Sequence, residues 1–450
     1  MQVSILDYGA RSDGSLCTGA IQAAIDDCFR AGGGTVEVPA GTFLTGGVRI
    51  RSNITLLLRS GARLLGTRNP EDYSILAGDT VEPVDPALMT DNRWTPARQR
   101  VSFDFLRKAG STWNNALIRA LHAEHVRIIG EGDSVLDGAD CFDELGEEHY
   151  RGPHGVNMWY CRDVHCEGYT VRNSGNWAHA IQNSQDVTFE RVTVLAGHDG
   201  IHCTTCDNVR ISHCAFYTGD DCIAGIDNIN MTVTDTLMNT ACSAFRLGGT
   251  HIRISDCKML GPARYLFRGS LSPEEKRSGQ PTREVATHRY NMLSAFTYYA
   301  DYSRQIREQP GDIVIENCTV DHNDRFLHYN FSGNEPWQLN RPLADITFRN
   351  VTAEHIRHPL TAYGDQETKV RLTLENCRFA IDEGMEGMAF MHACHYERIT
   401  LRHVRVEGLR GAPLILRWSD GVVETDDLTW EAAENPLILD ADVDFQCKAI

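Results

Sequence analysis

The chain has 450 residues, 42% of them hydrophobic and 23% charged, with 38 glycines and 15 prolines. That composition excludes a wholly disordered chain, a collagen-like fibre and a coiled coil, and no stretch is apolar enough for long enough to read as a membrane-spanning helix. The formal net charge of −18 argues against a nucleic-acid partner, whose phosphates need a basic face, so any anionic substrate must be met by a local group of Arg or Lys.

The N-terminal stretch MQVSILDYGA lacks the basic start, apolar core and small-residue cleavage site of a secretory signal. With an odd number of cysteines, 15, it predicts reduced, mostly buried thiols in a cytoplasmic protein. Cys203-x-x-Cys206 stands alone, without the second pair of a zinc ribbon, so neither a metal nor a cofactor is predicted. Next, residues 18–31 read as an amphipathic helix, with Ile21, Ile25, Cys28 and Phe29 on one stripe and Gly32–Gly34 as its stop.

A nine-residue pattern, polar-V/I-x-apolar-x-x-C/V-x-apolar, then dominates the chain. It reads DVHCEGYTV at 163–171, DVTFERVTV at 186–194, NVRISHCAF at 208–216 and HIRISDCKM at 251–259. It returns as DIVIENCTV at 312–320, DITFRNVTA at 345–353, RLTLENCRF at 371–379 and RITLRHVRV at 398–406, with a weak copy, NMTVTDTLM, at 230–238. The alternation is that of strands, and the period is too long for a hairpin and lacks the helix of a βαβ unit. Short parallel strands stacked as a coil satisfy each turn's backbone with the next. The prediction is an all-β, single-stranded right-handed parallel β-helix forming one domain over 1–450, capped by the helix at 18–31. Two segments interrupt the period: 68–115, with Trp94 and Trp113, and 262–311, with Tyr290, Phe296, Tyr298, Tyr299 and Tyr302. Insertions in a solenoid emerge as loops beside the binding face; aromatics there either stack on sugars or pack the loops down.

The densest acidic signal is GHDGIHC at 197–203 followed by TGDDCIAG at 218–225. Asp199 and Asp221 are one turn apart, so they share a column about 4.8 Å apart, with Asp220 beside them. Carboxylates crowded this way drive their pKa values apart, which suits acid–base catalysis; turn formation or a calcium site are the alternatives from spacing alone. By the same spacing His202, Ala224 and Arg246 form a column, which His179 joins, and an arginine there should face outward.

These segments resemble glycoside hydrolase family 28, the polygalacturonase and rhamnogalacturonase group. That family carries N-T-D and, about a turn later, G-D-D; here they read Gly197-His198-Asp199 and Gly219-Asp220-Asp221, followed by Cys222. LDYGARSDG at 6–14, GGGTVEVPAGTFLTGGVRIRSNITLLLRSGARLLGT, IIGEGDSVLDG at 128–138 and NSGNW at 173–177 are similar too, so the resemblance covers roughly residues 1–260. It implies Asp220 as the general acid that protonates the departing oxygen, and Asp199 and Asp221 as the pair that activates the attacking water, with inversion as the outcome. For Asp220 and Asp221 both to reach one groove, Gly219 must open a turn or bulge.

Departures from the family pattern shape the remaining expectations. The G-H-G histidine is absent, with Ser243 in its column, and its role falls to His198 or His202. R-I-K is replaced by ARYLFRGS at 263–270, leaving Arg268 or Arg246 as the anion-binding group and His179 as a further contact. Trp177 matches a family tryptophan whose job is packing. The function implied is an inverting glycoside hydrolase trimming a pectin-type, uronate-containing oligosaccharide from one end, with the oligosaccharide or polysaccharide as its partner. The alternatives are a calcium-dependent β-helix lyase using the same aspartates and a non-catalytic glycan-binding β-helix.

Overall fold

The computed structural model describes residues 1–76, 112–279, 290–299, 307–331, 341–417, 421–431 and 438–439. The described residues within 1–84, 102–224 and 264–290 pack as one compact unit, and those within 225–263 and 291–450 as a second. No described helix is long and apolar enough to cross a membrane.

Each unit is a parallel β-helix. In the first, parallel strands stack in three series, and their registers align the apolar positions of the repeat. One series, from Gly34–Val38 through Asp207–Ser212, stacks Val36, Leu56, Ile128, Cys166, Phe189 and Ile211. A second stacks Phe43, Leu64, Leu136, Val171, Val194 and Phe216. All of these side chains are buried, which removes their apolar surface from water turn by turn. The third series runs through Val48–Arg49, Ala116–Leu121, His154–Trp159, His179–Gln182 and Ile201–Thr204. The second unit repeats the scheme, with Ile252, Ile313, Ile346, Leu372 and Ile399 in one core column.

The repeat turns its corner at its sixth position. Arg191, His213, Asp256, Asn317, Asn350, Asn376 and His403 all have φ between 50 and 58°, and Gly168 has φ 75°. A left-handed residue there sends the chain into the next strand. That conformation favours Asn, Asp and Gly, since other side chains crowd the following carbonyl, and Asn, Asp, His and Gly supply all but one of these corners.

The N-terminal helix α1, Thr18–Arg30, covers the first turn with Ile21, Ala24, Ile25 and Cys28 buried. Phe29, expected on that stripe, is 41% exposed instead, and its ring carries the Arg51 guanidinium at 5.4 Å. The helix ends at Gly32 and Gly33, with φ 94 and 116°.

The two expected excursions behave differently. Residues 77–111, including Trp94, lie outside the described residues. Trp113 is buried, edge-on to His154 and Trp177 at 5.0 and 4.9 Å, so its role is packing. The segment 262–311 is not one loop. Residues 264–279 carry a short helix, α2 (Pro273–Ser278), and belong to the first unit. Met292–Tyr298 is a strand of the second unit, with Phe245, Phe296 and Leu327 in one core column, so Phe296 and Tyr298 pack rather than reach for a ligand. Tyr302 lies outside the described residues. The cysteines described are all free thiols, and Cys203 and Cys206 are fully buried, with the Cys206 thiol donating to the carbonyls of Ile181 and Thr204.

Candidate active site

The backbone puts Asp199 and Asp221 on successive turns. Ala178 N–H donates to the Asp199 carbonyl at 2.8 Å, and Gly200 N–H to the Asp221 carbonyl at 2.9 Å. The column therefore runs from Trp177 through Asp199 to Asp221, and both aspartates are nearly closed off, at 3% and 1% exposure. Asp220 is more open, with its side chain 15% exposed. The chain bends here between the strand Ala215–Thr218 and the next, and the Thr218 hydroxyl donates to the Asp220 carbonyl at 2.6 Å.

Gly219 lies in that bend, as expected, and close packing also requires glycine there. Its φ lies outside the left-handed region, and what demands glycine is proximity: a Cβ there would stand 1.8 Å from the Leu266 carbonyl oxygen. Gly197, where the resemblance expects Asn, is explained the same way. A Cβ on it would lie 2.5 and 2.6 Å from Cγ and Cδ of Arg268. The segment 264–279 thus lies directly on the two acidic turns, and neither turn tolerates a side chain beneath it.

His202 stands next to Ala180 in the register and donates from Nδ1 to Asp199 Oδ2 at 2.8 Å, while its ring stacks on Trp177 at 3.7 Å and 8°. His198 is fully buried, and its Nδ1 lies 3.0 Å from the Arg151 guanidinium; since guanidinium only donates, Nδ1 accepts and the proton sits on Nε2. Burial first, and the charge of Arg151 second, hold His198 far below the ordinary histidine range, so it is neutral. Arg268 ion-pairs with Asp140 at 3.2 Å, and burial raises the Asp140 carboxyl against that pairing.

His179 departs from expectation. The register pairs it with Val156 and Ile201, not with His202, so it belongs to the core column. It accepts from the Tyr169 hydroxyl at 2.9 Å and donates to the Gly200 carbonyl at 3.2 Å. The reason is a change of turn length: Val156 to His179 spans 23 residues, but His179 to Ile201 spans 22. Ser243 and Arg246 belong to the second unit. Ser243 is buried with its hydroxyl 3.3 Å from that of Thr297, and Arg246 lies over the Tyr299 ring at 4.0 Å.

The segment Glu147–Arg151 adds functional groups that the repeat analysis missed. Arg151, its side chain 9% exposed, spreads over Glu148 at 3.0 Å, Glu147 at 3.4 Å, Asn176 at 3.2 Å and Asp220 at 3.6 Å. Burial pushes the Glu147 carboxyl up to about 7; Arg151 opposes that shift, and Glu148, Asp199 and Asp220 reinforce it. Burial also works on Glu148, but its ion pair with Arg151 wins and holds it below the usual range. Lys276, from α2, sits 4.0 Å over the Tyr150 ring. The only hint in the sequence was the charge density of DELGEEHYRG at 143–152 outside the repeat. Elsewhere in this unit His165, Glu167 and Glu190 gather three donors, but Arg191 pairs with both glutamates.

Carboxylates on adjacent turns, one neighbour held by a guanidinium and another oriented by a histidine, form an arrangement able to donate a proton and to hold a water. Residues 96–244 match the family described as Glycosyl hydrolases family 28. A probable polygalacturonase of Vitis vinifera is 27% identical over 233 residues, covering 49% of this chain and 43% of the relative. An exo-poly-alpha-D-galacturonosidase of Dickeya chrysanthemi is 36% identical over 276 residues, covering 49% of this chain and 41% of the relative. The chain thus spans about two-fifths of the length of these relatives. The solved family 28 exopolygalacturonase of Yersinia enterocolitica superposes with a TM-score of 0.63 at 19% identity, covering 95% of this chain and 78% of that one, which carries the fold. The chain is thus similar to glycosyl hydrolases family 28 over residues 96–244, and its structural likeness carries the parallel β-helix fold.

Proposed function

We propose that the chain is an inverting glycoside hydrolase that removes sugars from one end of a uronate-containing, pectin-type oligosaccharide. The observation that carries this reading is the stacking of Asp199 directly on Asp221 with Asp220 beside them. In the proposed reaction Asp220 gives its proton to the leaving oxygen as the glycosidic bond breaks. Asp199 and Asp221 hold a water on the opposite face and take its proton as it attacks the anomeric carbon. His202 donates to Asp199 Oδ2 and so fixes the orientation of the carboxylate that holds that water. The relatives named polygalacturonase and exo-poly-alpha-D-galacturonosidase support the substrate class and end-wise action.

The test is incubation of the protein with oligogalacturonides and neutral plant oligosaccharides, following reducing ends, ultraviolet absorbance and, by proton NMR, the anomer first formed. New reducing ends of inverted configuration, indifferent to chelator and reduced about 10²- to 10⁴-fold in Asp220→Asn, are expected. Absorbance of an unsaturated product that depends on calcium would replace the hydrolase with a lyase.

A further inference from the structure

The strands Thr319–Asn330 and Thr352–Ile356 lie side by side in the second unit, with Asp321 in register with Glu354 and Asn323 with Ile356. His322 and His355 therefore fall at the same place on successive turns, both with φ 53°. Their rings stack at 4.0 Å and 21°, and both residues are exposed. One oxygen of Asp321 meets both rings: Oδ1 accepts from His355 Nδ1 at 2.7 Å and lies 2.8 Å from His322 Nδ1. Only the first contact has the alignment of a hydrogen bond, so two imidazoles compete for one acceptor. Donor atoms of the three residues all lie within 4.8 Å of one another.

At two other corners an arginine takes the carboxylate beside a histidine. Arg127 holds both oxygens of Asp163 at 2.8 Å next to His125, and Arg253 holds those of Asp312 at 2.7 and 2.8 Å next to His251. Among the described residues neither Arg nor Lys pairs with Asp321, and Glu354, its neighbour in register, is committed to Arg378 at 2.6 Å. The cluster therefore presents two ring nitrogens and a carboxylate without a cation of the protein's own.

We propose that Asp321, His322 and His355 form a site for zinc or a neighbouring first-row divalent ion, which clamps two successive turns of the coil. Two imidazoles and a carboxylate suit such an ion, whereas calcium and magnesium take oxygen ligands. Tetrahedral zinc ligands stand about 3.3 Å apart, so each nitrogen need withdraw only roughly 0.6 Å from Asp321 Oδ1, a small adjustment for exposed side chains. Binding forms two zinc–nitrogen bonds and one zinc–oxygen bond, each ring coordinating through Nδ1 with its proton on Nε2, and water completes the shell. The three residues belong to the second unit and Asp199, Asp220 and Asp221 to the first, so this inference stands apart from the hydrolase reading.

The test is calorimetric titration of the chelator-treated full chain with zinc chloride, in the parent, His322→Asn, His355→Asn and the control His251→Asn. Asparagine is at home in the left-handed backbone, so these variants keep their corners, and circular dichroism of the zinc-free proteins checks that they do. The parent should bind one zinc per chain, with affinity reduced at least tenfold in His322→Asn and in His355→Asn and unchanged in His251→Asn. Zinc in excess should raise the Tm of the parent and leave that of His355→Asn where it was. Cobalt(II) in place of zinc should give the visible bands of a nitrogen and oxygen site without absorption from a thiolate. Absence of binding, equal affinity in the parent and His355→Asn, or a thiolate band in the cobalt spectrum overturns the proposal, and none of these outcomes bears on the hydrolase reading.

Discussion

The stem of Arg268 fills the space where residue 197 would carry a side chain, with Cγ 2.5 Å from an ideal Cβ on Gly197. The pairing is reciprocal. Arg268 stays in place because Asp140 holds its guanidinium at 3.2 Å, and Gly197 stays bare because Arg268 lies there. Gly197→Ala should therefore displace a tethered side chain and cost about 1–3 kcal/mol. Urea unfolding of Gly197→Ala, Arg268→Ala and the double variant checks this. The double variant should recover most of the loss, and simple additivity would refute the steric coupling.

The Asp199–His202 hydrogen bond at 2.8 Å leads to a kinetic prediction. His202→Phe keeps the stack on Trp177 but removes the donor that orients Asp199. A fall in kcat of roughly ten- to a hundredfold with little change in KM is expected. A change confined to KM would mean that His202 touches substrate rather than aligning the carboxylate.

Buried histidines make stability depend on pH. Burial holds His179 at about 4, and the same cause holds His154 and His328 at about 3 and His392 at about 4. Each folded value lies below the unfolded one of about 6.5, so the unfolded chain binds more protons once the pH drops below that value. Stability is full above pH 6.5 and is lost on acidification toward the folded values. His179 alone accounts for roughly 2 kcal/mol of loss by pH 5. Thermal unfolding from pH 7 to 5 should show a falling Tm and a shallower slope in His179→Gln. An unchanged slope would show that His179 does not stay neutral.

The corner residues predict a clean contrast. Asn350 has φ 52° and its amide donates to Asn317 Oδ1 at 3.0 Å. Asn350→Val should cost about 1–2 kcal/mol, because a β-branched side chain is strained in that conformation. Asn350→Gly, measured in the same denaturant series, should lie much closer to the parent, and equal losses in the two would argue against a backbone cause.

The places where sequence and structure agree are those governed by the period. Asp199 and Asp221 could be stacked on paper because the interval between them equals one turn of the backbone register. His179 was assigned outward because one turn of 23 residues was carried into a turn of 22, and a slip of one residue in a strand reverses the face. Phe29 was placed on the buried stripe of α1, but at the end of a helix the stripe runs past the surface it covers. Arg151 and Glu147 were out of reach because their segment follows no repeat, and what joins them to Asp220 is folding in three dimensions, not spacing. Gly197 looked like a missing motif residue and Gly219 like a turn former; Gly219 does lie in a bend, and both are also the imprint of a chain lying on top of them.

The left-handed corner has an evolutionary corollary. Because the eight copies of the repeat are closed by the same local conformation, the stack does not depend on what is threaded between two strands, provided that the chain returns in register. The segment between Val135–Asp137 and His154–Trp159 shows this, since the strands on both sides of it keep their partners in the next turn while it brings in Glu147 and Arg151. Such a scaffold is a socket: new chemistry can be inserted on one side of a turn, tried and discarded, at no expense to the turns above and below.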